Sequence, residues 1–109
     1  MNGCAVLEDA LAKGGKVVWD PPARPRLFVP KGMGAKIQED LATVREVLRR
    51  ATIFREQAAA FIREGGAIPF LALPEHGQGD GCFSCGALVE RGRFRCAICA
   101  LAVTLVLKT

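Results

Sequence analysis

The chain of 109 residues contains one histidine, one tryptophan and no tyrosine. A single histidine leaves imidazole-based acid–base or nucleophilic catalysis with little material. There is no Ser/His/Asp arrangement, no phosphate-binding glycine loop and no pair of carboxylates in a credible site. The expectation is therefore a protein that is not an enzyme. Long hydrophobic runs are missing too. The apolar stretch from Ala97 to Leu107 falls far short of the roughly 20 residues of a membrane span, so no membrane partner is expected. Near the N-terminus Glu8 and Asp9 interrupt the apolar stretch, which removes a signal-peptide pattern. Together these features read as a soluble, cytoplasmic chain. Aromatics are only 6% of residues, yet 50% are hydrophobic. A packed core is feasible, and wholesale disorder is not expected.

Charge of one sign is in small excess. The formal net charge is +4. Four cysteines bound to zinc as thiolates contribute −4 and the ion +2, which lowers the loaded chain to about +2. That excess permits an acidic or nucleic-acid partner without requiring one.

What is present in quantity is cysteine near the C-terminus. Cys82-Phe83-Ser84-Cys85 is followed, after ten residues, by Cys96-Ala97-Ile98-Cys99. Two close pairs of soft ligands match a closed tetrahedral zinc site. The predicted metal ligands are Cys82, Cys85, Cys96 and Cys99, with zinc as cofactor and iron in a rubredoxin-like site as the rival. With all four positions filled by sulfur, no position remains open for a catalytic water. His76 offers an alternative ligand, against its ordinary reading as a solvated loop residue. Cys4 is left over, and an odd thiol beside two Cys-x-x-Cys pairs suits a reducing compartment. Thiol redox chemistry also uses Cys-x-x-Cys, but two matched pairs point to metal.

Gly86, directly after Cys85, is placed where a zinc knuckle needs positive φ. Leu88-Val89 and Phe94-Arg95 are predicted to form a short hairpin with Arg91-Gly92 at its tip. Residues 100–107 read as helix or strand, with helix preferred. A helix makes the module a treble clef; a strand makes it a zinc ribbon. Arg91, Arg93 and Arg95 alternate, so a strand there puts them on one face with Phe94 on the other. They are candidate nucleic-acid-binding residues, or they balance the charge of the tetrathiolate centre.

Upstream, residues 4–13 suit a short helix. Lys16–Trp19 and Arg26–Val29 are strand candidates around a segment with three prolines, Pro21, Pro22 and Pro25. A β-hairpin or an extended arm that docks on a partner both fit. Ile37, Leu41, Val44, Leu48 and Ala51 recur at helical spacing, and Val47, Ala51, Phe54, Ala58 and Phe61 widen the stripe. The pattern predicts one amphipathic helix over residues 35–64, ended by Gly65-Gly66. Its apolar face is expected to find partners in this chain, in a homodimer or in another protein. Glu46 and Arg50 form an i,i+4 pair on it. Ile68–Pro74 is expected to be extended and packed on the helix, and residues 76–81 to be a glycine-rich hinge.

The predicted fold is a small α+β protein with an extended or hairpin N-terminal segment, a long amphipathic helix and a C-terminal zinc ribbon or treble clef. Residues 1–74 form the first part and 75–109 the zinc-finger module. Over residues 82–102 the Cys-x-x-Cys-Gly, the aliphatic pair, the arginine-rich return and Arg-Cys-x-x-Cys resemble the zinc finger of the DksA/TraR group. They are also similar to small zinc ribbons of phages and mobile elements. The resemblance implies the metal-ligand role for the four cysteines. The expected function is a zinc-binding protein that binds DNA or RNA in replication or transcription. The alternative is an adaptor or regulator of a polymerase or another machine. Nuclease chemistry of the HNH type is not expected from a chain with a single histidine.

Overall fold

The computed structural model describes residues 3–64, 71–75 and 81–107. Cys4, Val6, Leu7 and Ala10 recur at helical spacing and form the buried face of α1, Gly3–Ala12. Of the two options for the proline-rich segment, the hairpin forms. Strands β1 (Lys16–Asp20) and β2 (Arg24–Phe28) pair antiparallel, from Lys16 opposite Phe28 to Asp20 opposite Arg24. The turn contains a cis Pro21–Pro22 bond. Pro25 is tolerated because a two-stranded sheet leaves each strand one edge with no ladder bond to lose.

The long periodic segment is broken where one helix is predicted. Helix α2 spans Gly34–Glu39 and α3 spans Leu41–Arg63. Between them Asp40 leaves the helical region, with φ −138° and ψ 54°. Its carboxylate accepts the Gly3 N–H (2.8 Å) and its carbonyl accepts the Val44 N–H (3.2 Å). The elbow thus seats the start of α1. The apolar period survives the break because Ile37 of α2 and Val44 of α3 bury into the same core.

Polar side chains on α3 fasten its neighbours. The Trp19 indole donates to Thr52 Oγ1 (2.9 Å), and the Arg55 guanidinium lies 5.2 Å from the Trp19 ring centroid. Trp19 therefore joins the hairpin to α3 within this chain. Gln57 acts as a side-chain peptide group toward Ala72. Its Oε1 accepts the Ala72 N–H (3.0 Å) and its Nε2 donates to the Ala72 carbonyl. Leu71 and Leu73, on either side, are buried.

The final helix, α4 (Ala97–Leu107), confirms the helical alternative for the C-terminal run. It makes its most extensive contact with α3 and buries Leu101, Ala102, Leu105 and Val106. Leu7, Val47 and Phe54 share one cluster of buried side chains with Cys82, Cys99 and Leu101. The α+β class holds, with a long helix, a two-stranded hairpin and a cysteine-bearing C-terminal element. No described helix is long and apolar enough to cross a membrane. The expected helix stop at Gly65-Gly66, the apolar residues Ile68–Phe70 and the hinge from His76 to Asp80 lie outside the described residues.

Replacing Gln57 by Ala leaves both Ala72 backbone groups without their partner. An orphaned buried group costs about 1–3 kcal/mol, and the half-buried position of Ala72 puts this pair at the lower end. The Gln57→Ala chain is expected to lose stability of that order in urea denaturation. Unchanged stability would show that water replaces the amide at no cost.

Candidate metal centre

The four predicted ligands converge. The sulfurs of Cys82, Cys85, Cys96 and Cys99 all lie within 4.8 Å of one another. Cys85 Sγ and Cys96 Sγ are 3.6 Å apart, and none of the four is in a disulfide. A tetrahedral ion with sulfurs about 2.3 Å away spaces those sulfurs by about 3.8 Å. The cluster therefore fits a metal ion bound by four thiolates.

Local backbone chemistry builds the first half. Gly86 has φ +77°, the left-handed conformation expected after Cys85. This turn lets the Gly86 N–H reach the Cys82 carbonyl and the Cys82 N–H reach the Ala87 carbonyl, each at 2.8 Å. Gly81 is needed for a different reason. A Cβ there would sit 2.4 Å from the Ala87 oxygen and 2.5 Å from the Gly86 oxygen. The Ser84 N–H points at Cys82 Sγ (3.4 Å).

The second half uses a helix start. Cys96 stands where Ser, Thr or Asp commonly caps a helix. Its carbonyl accepts the Ala100 N–H (2.9 Å) and its sulfur accepts the Cys99 N–H (3.4 Å). Negative charge on sulfur is favourable there, because the helix N-terminus carries partial positive charge. Cys99 follows in the first turn of α4 and is fully buried.

The predicted hairpin between the pairs is absent. Residues 86–90 are irregular, and the chain turns between Glu90 and Arg93. Backbone groups that a strand ladder needs are used to close the knuckle, as in the Phe83 N–H to Phe94 carbonyl bond (2.9 Å). The helix after the second pair matches the treble-clef alternative without its hairpin. The three arginines consequently share no strand face. Arg91 and Arg93 are exposed, with Arg93 Nε 3.8 Å from Glu90. Arg95 is half-buried and donates from Nε to Ser84 Oγ (3.1 Å). Ser84 is fully buried. Its hydroxyl donates to the Leu71 carbonyl and its carbonyl accepts the Leu73 N–H (2.8 Å). Arg95 and Ser84 thus tie the knuckle to the 71–75 segment.

The side chain that reaches the sulfurs is Arg50 of α3. Its Nη1 donates to Cys99 Sγ (3.1 Å) and lies 3.7 Å from Cys96 Sγ. Among the described residues no other side chain donates to the cluster. Glu46 Oε1 accepts from Arg50 Nε (2.7 Å) and holds the guanidinium in place. The same carboxylate binds Arg49 through two bonds, and these charges hold Glu46 at about 2, against the opposing effect of burial. Read from the sequence, Arg50 is only the partner of Glu46. The available signal is its place beside the apolar stripe, three residues after Val47 and four before Phe54, where a charged side chain is drawn toward the core.

The electrostatics call for a cation. Burial pushes the Cys82 thiol up, but backbone N–H groups of Cys96, Cys85 and Ser84 outweigh it and bring it down to about 6. Burial pushes the Cys85 and Cys99 thiols up, the latter despite Arg50. Backbone donors thus favour the Cys82 thiolate, while burial disfavours charge on Cys85 and Cys99. Cys4 lies in α1 outside the cluster, and burial raises its thiol. His76 is outside the described residues.

Removing a partner that hydrogen-bonds a metal ligand commonly costs 10–100-fold in metal affinity. Arg50→Gln is expected to lose metal to a chelator about 10–100-fold more readily, and Arg50→Lys by less. Equal retention in all three chains would show that Arg50 is only a packing residue. No family model, no curated protein and no solved structure matches this chain, so the four sulfurs and their surroundings carry the assignment.

Proposed function

We propose that the protein is a non-catalytic zinc-binding protein whose metal-stapled knuckle contacts nucleic acid. Zinc is favoured by the ligand set, because four cysteine thiolates with near-tetrahedral spacing suit its coordination preference. A structural role is favoured by closure: a fourth sulfur occupies the position that catalytic zinc keeps for water. In this reading the ion organises the 82–99 segment and supports α4, and binding is carried by what the segment presents to solvent.

The observation that supports nucleic acid is the placement of Arg91 and Arg93. They are solvent-exposed on the loop between the cysteine pairs, while the charge-balancing contact to sulfur falls to Arg50. Two guanidiniums without a duty at the metal are available for phosphate. Arg93 lies 3.8 Å from the exposed Glu90, and several other cations are engaged, with Arg49 and Arg50 on Glu46, Arg26 on Asp20 and Arg55 over Trp19.

A second reading, an adaptor for another protein, is favoured by a different feature. A groove of about 700 Å³ runs between the hairpin and α2–α3. Pro25, Leu27, Leu41, Leu48 and Ile53 contribute apolar surface to it. Those are the proline-rich arm and the helix face that the sequence marks as contact surfaces.

Titration of labelled random-sequence DNA and RNA with the zinc-loaded chain at two salt concentrations separates the readings. The nucleic-acid reading predicts binding that weakens as salt rises. The double variant Arg91→Gln/Arg93→Gln is expected to bind more weakly, with a salt slope shallower by up to about 2. Absence of binding at low salt would contradict the proposal and leave the groove as the interaction surface.

A further inference from the structure

On the strand pattern of the sequence, Phe94 falls on the face opposite the arginines. The fold brings them together. A pocket of about 310 Å³ is lined by Gly92, Arg93, Phe94, Arg95, Ala100 and Val103. That is the small end of the range for ligand sites, about 300–1,000 Å³. Its surfaces are of three kinds: an aromatic ring, two guanidinium-bearing side chains, and the small apolar residues of α4.

Phe94 is the unusual member. The residue is 69% exposed, one of seven large apolar residues among those described that the core leaves outside. It is also held in place. Its ring stacks on Phe83 with centroids 5.6 Å apart and planes 16° from parallel. Its carbonyl accepts the Phe83 N–H at 2.9 Å. Phe83 is flanked by the metal ligand Cys82 and the buried Ser84, so the stack is anchored to the metal centre through the backbone. Arg95 is anchored through one Nε bond to Ser84, and its remaining guanidinium donors make no hydrogen bond among the described residues.

We infer that this pocket takes one nucleotide of a single-stranded nucleic acid, with its base against Phe94, Ala100 and Val103 and its phosphate on Arg93 and Arg95. The inference rests on the nucleic-acid reading above and adds the strandedness and the contact. A preorganised ring beside cations is the combination by which proteins hold unpaired bases without regard to sequence. A duplex hides its base faces in its own stack and has nothing to offer the ring. The neighbouring helix is also wrong for a duplex groove. α4 reads Ala-Ile-Cys-Ala-Leu-Ala-Val-Thr-Leu-Val-Leu and carries no charged residue for phosphates or base edges.

The test is fluorescence anisotropy with the full zinc-loaded chain, using labelled oligothymidylate and a labelled random-sequence duplex. Parallel titrations use Phe94→Leu, Phe94→Trp and Arg93→Gln. Zinc content and circular dichroism are compared with the parent to establish that each variant is folded. The single strand is expected to bind at least about tenfold more tightly than the duplex. Loss of one base stack corresponds to about 5- to 150-fold, so Phe94→Leu should weaken the single strand by that factor. Phe94→Trp should retain binding, and duplex binding should be indifferent to either change. Equal affinity for both nucleic acids overturns the inference. So does an unaltered single-strand affinity in Phe94→Leu while Arg93→Gln weakens binding, and that result leaves the nucleic-acid reading in place. Failure of both probes to bind overturns the nucleic-acid reading itself, and this inference with it.

Discussion

Four cysteine sulfurs crowded within 4.8 Å are repulsive as thiolates, and Cys99 is fully buried, where an uncompensated charge is costly. The arrangement becomes favourable when a cation sits among them and further positive charge lies close by. The second requirement is met by Arg50, which arrives from a helix nearly fifty residues away in sequence, |i−j| = 49 from Cys99. The knuckle, the start of α4 and the middle of α3 therefore meet at one electrostatic centre. The contact between α3 and α4 has two supports, the burial of Leu101, Ala102 and Leu105 against the core and the guanidinium–sulfur bond at its edge.

α3 serves the rest of the molecule in the same manner. Arg50, held by Glu46, reaches the sulfurs, Thr52 receives the indole of Trp19, and Gln57 pairs with the backbone of Ala72. Each polar side chain faces a different neighbour, while Val44, Val47, Ala51, Phe54 and Ala58 fill the core between them. Ser84 plays the corresponding part in the knuckle, where one buried hydroxyl connects Arg95 to the carbonyl of Leu71. Among the described residues no buried side-chain nitrogen or oxygen is left without a partner.

The four-cysteine cluster was legible from spacing alone, because two Cys-x-x-Cys pairs restrict the chemistry strongly. The knuckle glycine was legible for the same reason: Gly86 occupies a position where the backbone must turn with positive φ. The first helix follows from local pattern, while that pattern left the 16–28 segment open between hairpin and extended arm and the C-terminal run between helix and strand. Three features were not legible. The break at Asp40 interrupts an apolar period that runs through it, and its carboxylate is met by the amide of Gly3, which no local pattern connects to it. The strands expected at 88–89 and 94–95 fail because their backbone groups close the knuckle instead. Arg50 resembles any exposed i,i+4 partner until the fold places Cys99 beside it.

Arg50 reaches the cysteine cluster from within, while Arg91, Arg93 and the exposed ring of Phe94 face outward. The most direct measurement is metal analysis combined with X-ray absorption at the zinc edge on the full chain purified under reducing conditions. The account predicts one zinc per chain surrounded by four sulfurs at about 2.3 Å. A folded chain without metal, or an ion whose shell contains nitrogen or oxygen in place of a cysteine, would contradict it.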